Sequence, residues 1–207
     1  MPFNCEVPNI PNGHFIHQST TLLSHGYVEC DEFYTFFGSS KRATCNSNAN
    51  FVGLDGACKQ IEWRNAKGAL LLDLPEPLSI GWQMVLQGTP TASNQRFAIN
   101  LRDNQGGYYM HMDVRFNYLH DKRKVIFNAN LNNKWGKRTS VNQFPFQELE
   151  EFVIGLEFTS NTVQILVDGL LFYTFNMGSP LSEVTQVSVG GDVVIKQLKF
   201  IYDQMDD

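Results

Sequence analysis

The stretch YYMHMDVRF, Tyr108 to Phe116, decides the fold. Side chains of an extended strand alternate between two faces. Met110, Met112, Val114 and Phe116 then form one apolar face, and His111, Asp113 and Arg115 stand in a row on the other. One side is built for a core. The other holds an imidazole, a carboxylate and a guanidinium at successive positions, which suits a metal site, a catalytic constellation or a surface that reads hydroxyl groups.

The same period of two recurs around this stretch. FAINLRD (97–103), KVIFNAN (124–130), FVIGLEF (152–158), TVQILVDG (162–169), LLFYTF (170–175) and VSVGGDVVIKQLKFI (187–201) alternate in the same way. Turn signals such as DNQGG, TSN and DG separate them. Many short strands with no long helical period predict an all-β antiparallel sandwich or barrel. Asp168-Gly169 marks a tight hairpin. Only FQELEEF (146–152) carries a hint of helix.

In KVIFNAN the alternation sends Val125, Phe127 and Ala129 to the core and Ile126, Asn128 and Asn130 to the side of His111. Asn128 is thus expected across from the His-Asp-Arg row, with Trp135 nearby on a loop or strand edge. The metal reading fails on ligand count, because His111 and Asp113 have no second pair and Arg115 beside them repels a cation. The catalytic reading lacks a nucleophile elbow, an activated cysteine or an evident second carboxylate. A plain solvated face is a further alternative. Mixed donors and acceptors on rigid strands, with an indole to cover an apolar sugar face, match the needs of hydroxyl recognition best.

The four cysteines, Cys5, Cys30, Cys45 and Cys58, all lie in the first third of the 207 residues. An even number in a short, turn-rich segment reads as a disulfide framework, and spacing alone leaves three pairings open. Such a segment is too small to be secure without cross-links. The expected organisation is therefore two modules, 1–60 and 61–207, joined by the short stretch KQIEWRNAKG (59–68). A net charge of −5 without a basic patch argues against nucleic acid or an anionic membrane as partner, and no apolar run is long enough to cross a bilayer. The N-terminus shows no signal peptide, yet the cysteines point to an oxidising compartment, so an extracellular, secreted protein is expected.

Two resemblances sharpen this picture. Cys5 with Pro8, PNG (11–13), GYVEC ending at Cys30, RATC ending at Cys45 and the closing Cys58 resemble a sushi (complement control protein) module. The resemblance implies Cys5–Cys45 and Cys30–Cys58 pairing, with Phe51 in place of the tryptophan that the family carries between its last two cysteines. In the second module, His111-x-Asp113-x-Arg115-Phe116, VIFN ending at Asn128, Trp135-Gly136 and FPF (144–146) resemble a galectin carbohydrate-recognition domain. That implies a two-sheet jelly roll that binds β-galactosides without cofactor, metal or enzymatic activity. His111 and Arg115 would address the galactose 4-hydroxyl and ring oxygen, Asn128 the 6-hydroxyl, and Trp135 would stack on the ring. Three positions depart from the family pattern: Asp113 replaces an asparagine, Arg138 a glutamate and Ser140 an arginine. The missing glutamate predicts Asp113 as counter-ion for Arg115 or Arg138, and Arg138 as a contact for the sugar next to galactose. A sushi module would add a protein partner. The alternative is a protein-binding recognition molecule whose lectin site is vestigial.

Overall fold

The computed structural model describes residues 4–202, which divide into two compact units with the boundary between Glu62 and Trp63. In the first unit the strands are β1 (Gly13–His17), β2 (His25–Cys30), β3 (Tyr34–Ser40), β4 (Arg42–Cys45), β5 (Phe51–Val52) and β6 (Asp55–Gln60). They form a four-stranded sheet in the order β1-β2-β4-β5 and a separate β3-β6 ribbon. Disulfides join Cys5 to Cys45 and Cys30 to Cys58. These are the pairings that the resemblance of the first module implies. Phe15, Val28, Ala43 and Cys58 make a small core, and Phe51 packs edge-on to Phe15 at 4.8 Å. Gly26 is required here, since any Cβ would fall within 2.4 Å of the Phe15 ring.

The second unit begins along β7 (Glu62–Ala66) and continues through β8 (Leu70–Asp73), β9 (Gln83–Pro90), β10 (Arg96–Arg102), β11 (Tyr108–Tyr118), β12 (Asp121–Leu131), β13 (Lys134–Trp135) and β14 (Thr139–Val141). The chain closes with β15 (Phe152–Phe158), β16 (Thr162–Val167), β17 (Leu170–Asn176), β18 (Gln186–Gly191) and β19 (Val193–Ile201). One sheet runs β13-β12-β11-β10-β18-β8, with β14 also paired to β12, and the other runs β17-β16-β15-β9-β19-β7. All the registered pairs in this unit are antiparallel. This is a two-sheet antiparallel sandwich, one of the two architectures that the alternation allows and the one that the galectin resemblance implies.

The core lies between the sheets. Met110, Met112, Val114 and Phe116 are all buried there, as the opening stretch requires. Phe97 stacks on Phe152 at 5.2 Å and meets Phe146 edge-on at 5.6 Å. These contacts link β10 to β15 and to the segment before it. The Asp168-Gly169 hairpin forms as expected, with Val167 paired to Leu170 and both turn residues at positive φ, 50° and 80°. Asp168 also accepts the Val153 amide at 2.9 Å, tying the turn to the neighbouring strand.

FQELEEF is not helical. Phe146 and Phe152 are buried, but Leu149 between them is 69% exposed at φ 63° and its amide donates to the Pro90 carbonyl. The spacing that hinted at a helix comes from a loop anchored at both ends by aromatic rings. Ile126 also departs from the simple alternation, since it is buried although it lies on the same side as His111.

Candidate ligand-binding site

The strands β10, β11 and β12 are neighbours, and their register arranges the polar face as three rows. Asn100, His111 and Asn128 lie side by side in the first row, Ala98, Asp113 and Ile126 in the second, and Arg96, Arg115 and Lys124 in the third. Beyond Asn100 the first row continues to Ser188 on β18. Asn128 therefore sits across from His111 as the alternation requires.

Three cations side by side on a sheet repel one another unless anions intervene. Asp113 provides the first anion from the row above. Arg115 Nε donates to its Oδ2 at 2.8 Å, and Arg96 Nε lies 3.0 Å from Oδ1. Asp113 is fully buried, and its neighbour across the sheet is the small Ala98, which leaves room for both guanidinium groups. Burial alone would push the Asp113 pKa up. The adjacent His111 ring, the hydrogen bond from Arg115 and the charges of Arg96 and Arg115 outweigh it, and the carboxyl titrates below its ordinary value.

The second anion is Asp121, at the start of β12. Arg115 Nη1 donates to it at 2.6 Å, Arg138 Nη2 reaches both of its oxygens at 2.6 Å, and Lys124 Nζ lies 3.8 Å away. Here too burial pushes the pKa up, and the two arginines outweigh it, so the net direction is down. A continuous ladder results: Arg96, Asp113, Arg115, Asp121, Arg138. The Tyr118 ring lies under both Arg96 and Arg115, at 4.8 and 5.2 Å. Held from two sides, Arg115 keeps one nitrogen, Nη2, without a hydrogen bond among the described residues.

The first row is equally fixed. Asn100 Nδ2 donates to Ser188 Oγ at 2.9 Å, which turns its oxygen toward His111 Nδ1 at 2.5 Å. Nδ1 thereby carries the proton that it gives to Asn100, while Nε2 lies 3.8 Å from Asp113 Oδ2. Asn128 accepts the Ala129 amide through Oδ1 at 2.8 Å, so Nδ2 is its donor toward solvent. Trp135 is 49% exposed, stacks on Tyr108 at 5.8 Å and meets the His111 ring at 5.3 Å. Gly136 follows with its amide on the Ala129 carbonyl, and a Cβ there would press on Asn128 Oδ1 at 3.4 Å. The result is an imidazole, an amide and a guanidinium fixed beside a half-exposed indole.

All six residues singled out from the sequence meet on this face. Asp113 pairs with Arg115, one of the two partners expected for it, and also with Arg96, which was not expected. Arg138 is held by Asp121, a residue that no pattern in the sequence singles out. Arg96, Asn100 and Tyr108 were missed as well. The first two were visible in principle, since Arg96, Ala98 and Asn100 alternate with Phe97 and Ile99. Asp121 was not, because regular alternation from Asn128 assigns it to the opposite side; Arg123, at φ 48°, breaks that alternation. Among the described residues no three His, Cys, Asp or Glu side chains are grouped to hold a metal ion.

A family model for galactoside-binding lectins matches residues 69–200. The chain belongs to that family. The match covers almost the whole second unit of this lectin, including every strand of the polar face. Among curated relatives, galectin-4 of Rattus norvegicus is 28% identical over 134 residues, 63% of this chain and 40% of that protein. The lectin thus spans less than half the length of that relative. The galactose-binding lectin l-1 of Anguilla japonica is 30% identical over 120 residues, 57% of this chain and 83% of its own. Among solved structures, Xenopus laevis galectin-Ib superposes with a TM-score of 0.59 at 26% identity, over 64% of this chain and 99% of that one. Caenorhabditis elegans galectin LEC-6 gives 0.62 at 23% identity, over 68% and 96%, and shows the shared fold.

Proposed function

We propose that this lectin binds β-galactosides on the face of β10, β11 and β12. The observation that carries the reading is the fixed set formed by His111, Arg115, Asn128 and Trp135, within the segment that matches the family. His111 Nε2 and Arg115 Nη2 are placed to take up the galactose 4-hydroxyl and ring oxygen, and Asn128 Nδ2 the 6-hydroxyl. Sugar C–H groups stack on the open face of Trp135, whose ring is stacked on Tyr108. Asp113 and Arg138 hold Arg115 and Asp121 in place. No group undergoes chemistry in this scheme; the site binds and releases.

Preorganisation supports it. Each polar side chain is locked by a neighbour before a ligand arrives, which limits the ordering cost of binding. Residues 4–59 form a sushi-like module in this reading, which the two disulfides support, and it contributes a contact to a protein partner. The same disulfides favour an extracellular setting. A single sugar site binds weakly, so a second contact through that module would raise avidity. The test is retention on immobilised lactose with elution by free lactose, wild type beside Arg115→Ala and Trp135→Ala. Retention lost in both variants, with an unchanged circular-dichroism spectrum, supports the reading. Well-folded wild type that flows through refutes it.

A further inference from the structure

Charge along the ladder is out of balance. Arg96, Arg115, Lys124 and Arg138 face two carboxylates, Asp113 and Asp121. The six groups sum to +2 by side-chain type in a chain of net charge −5. No basic patch is visible in the sequence. This one is assembled from three strands and the segment before β14, so no run of residues displays it.

The charges are also layered. The side chains of Asp113 and Asp121 are 0% and 8% exposed, whereas those of Lys124 and Arg138 are 38% and 46% exposed. A ligand approaching from solvent meets the cations first and the carboxylates only beneath them. Arg138 uses Nη2 on Asp121, and its Nε and Nη1 carry no hydrogen bond among the described residues. Lys124 Nζ stands 3.8 Å from Asp121 Oδ1, too far for a hydrogen bond, so its donors are available. At the Arg96 end the balance differs. Asp192 lies there, with its carboxylate on the Gln95 and Arg96 amides. The surplus is therefore concentrated at the Lys124–Arg138 end.

That end adjoins the galactose contacts. Lys124 pairs across the sheet with Arg115, and Arg138 directly precedes Thr139, whose strand partner is Phe127, next to Asn128. A glutamate at position 138, the family residue, would place an acceptor for a neutral sugar hydroxyl there. Arginine inverts that preference.

We propose that this lectin takes acidic galactosides, with the sugar next to galactose carrying an anionic substituent held by Arg138 and Lys124. A sulfate ester and a carboxylate share the required chemistry: fixed negative charge and several acceptor oxygens for charge-assisted hydrogen bonds. The inference rests on galactoside binding at this face, and the experiment separates the two.

Titration calorimetry compares N-acetyllactosamine, its 6-sulfate on the N-acetylglucosamine, and galactosyl-β-glucuronic acid, at 50 and 300 mM NaCl. At least one acidic ligand is expected to bind fivefold or more tighter than N-acetyllactosamine at low salt, and the advantage shrinks at high salt. The sulfate and uronate arms tell the two anions apart. Lys124→Gln lies outside the galactose contacts and is expected to keep neutral-ligand affinity while losing at least half of the preference. Arg138→Gln is expected to abolish it. Equal affinity for neutral and acidic ligands overturns this inference and leaves galactoside binding intact. A preference that survives in both variants overturns the assignment to these two residues. Failure to bind any of the three refutes the lectin site and this inference with it.

Discussion

Asp113→Asn replaces one oxygen by an amide nitrogen and installs the residue that the family pattern carries at this position. Shape is nearly unchanged, so the effect isolates charge. In the wild type, Asp113 is completely buried between Arg96 and Arg115, at 3.0 and 2.8 Å. Removing one partner from a buried ion pair costs roughly 3–5 kcal/mol because the remaining charge is left uncompensated. Two features reduce that figure. Arg115 retains Asp121 at 2.6 Å, and the Arg96 side chain is 31% exposed and keeps Tyr118 beneath it. The expected loss is about 2–3 kcal/mol, a fall in midpoint of roughly 4–10 °C for a unit of this size. Urea unfolding followed by tryptophan fluorescence measures it. The pH dependence gives an independent check. The folded pKa of Asp113 lies below its unfolded value, so its contribution is fully present above about pH 4 and is lost as pH falls through the folded pKa. The gap between wild type and variant should be constant from about pH 5 to 8 and close below about pH 4. An Asp113→Asn variant as stable as the wild type at pH 7, or one with improved lactose affinity, would refute the argument that this carboxylate is the required counter-ion.

Further expectations concern separate parts of the molecule. Trp135→Ala should weaken lactose binding at least tenfold, with a midpoint within about 1 °C of wild type, because the ring is half-exposed and holds no core contact. Phe97→Ala should cost about 3–5 kcal/mol in urea unfolding, since it removes a ring packed on Phe146 and Phe152 in the centre of the sandwich. Replacing Cys30 and Cys58 by alanine should destabilise the first unit by roughly 3–4 kcal/mol, the loop-closure estimate for a 28-residue separation, read as earlier proteolysis within residues 4–60.

The legible part of this protein was everything that follows from a period of two. Met110, Met112, Val114 and Phe116 declared a core face, and that placed His111, Asp113 and Arg115 together before any register was known. The Asp168-Gly169 turn was readable because two positive φ angles in succession require such residues. Less legible was whatever depends on pairing across strands. Nothing local in DKRK (121–124) shows that Asp121 turns back to hold Arg115 and Arg138, because a single positive φ at Arg123 undoes the alternation. Burial of Asp113 was hidden for the same reason, since part of its cover comes from Arg96 on a different strand, β10. FQELEEF misled in the opposite direction: Phe146, Leu149 and Phe152 match a helical spacing, yet only the two phenylalanines enter the core.

The central claim is that this face reads galactose, and lactose against cellobiose tests it most directly. The two disaccharides differ only in the configuration of the 4-hydroxyl on the terminal sugar, the group assigned to His111 and Arg115. Titration calorimetry should show saturable one-site binding of lactose and none of cellobiose at the same concentrations. Equal binding of the two, or binding of neither by folded protein, would contradict the account.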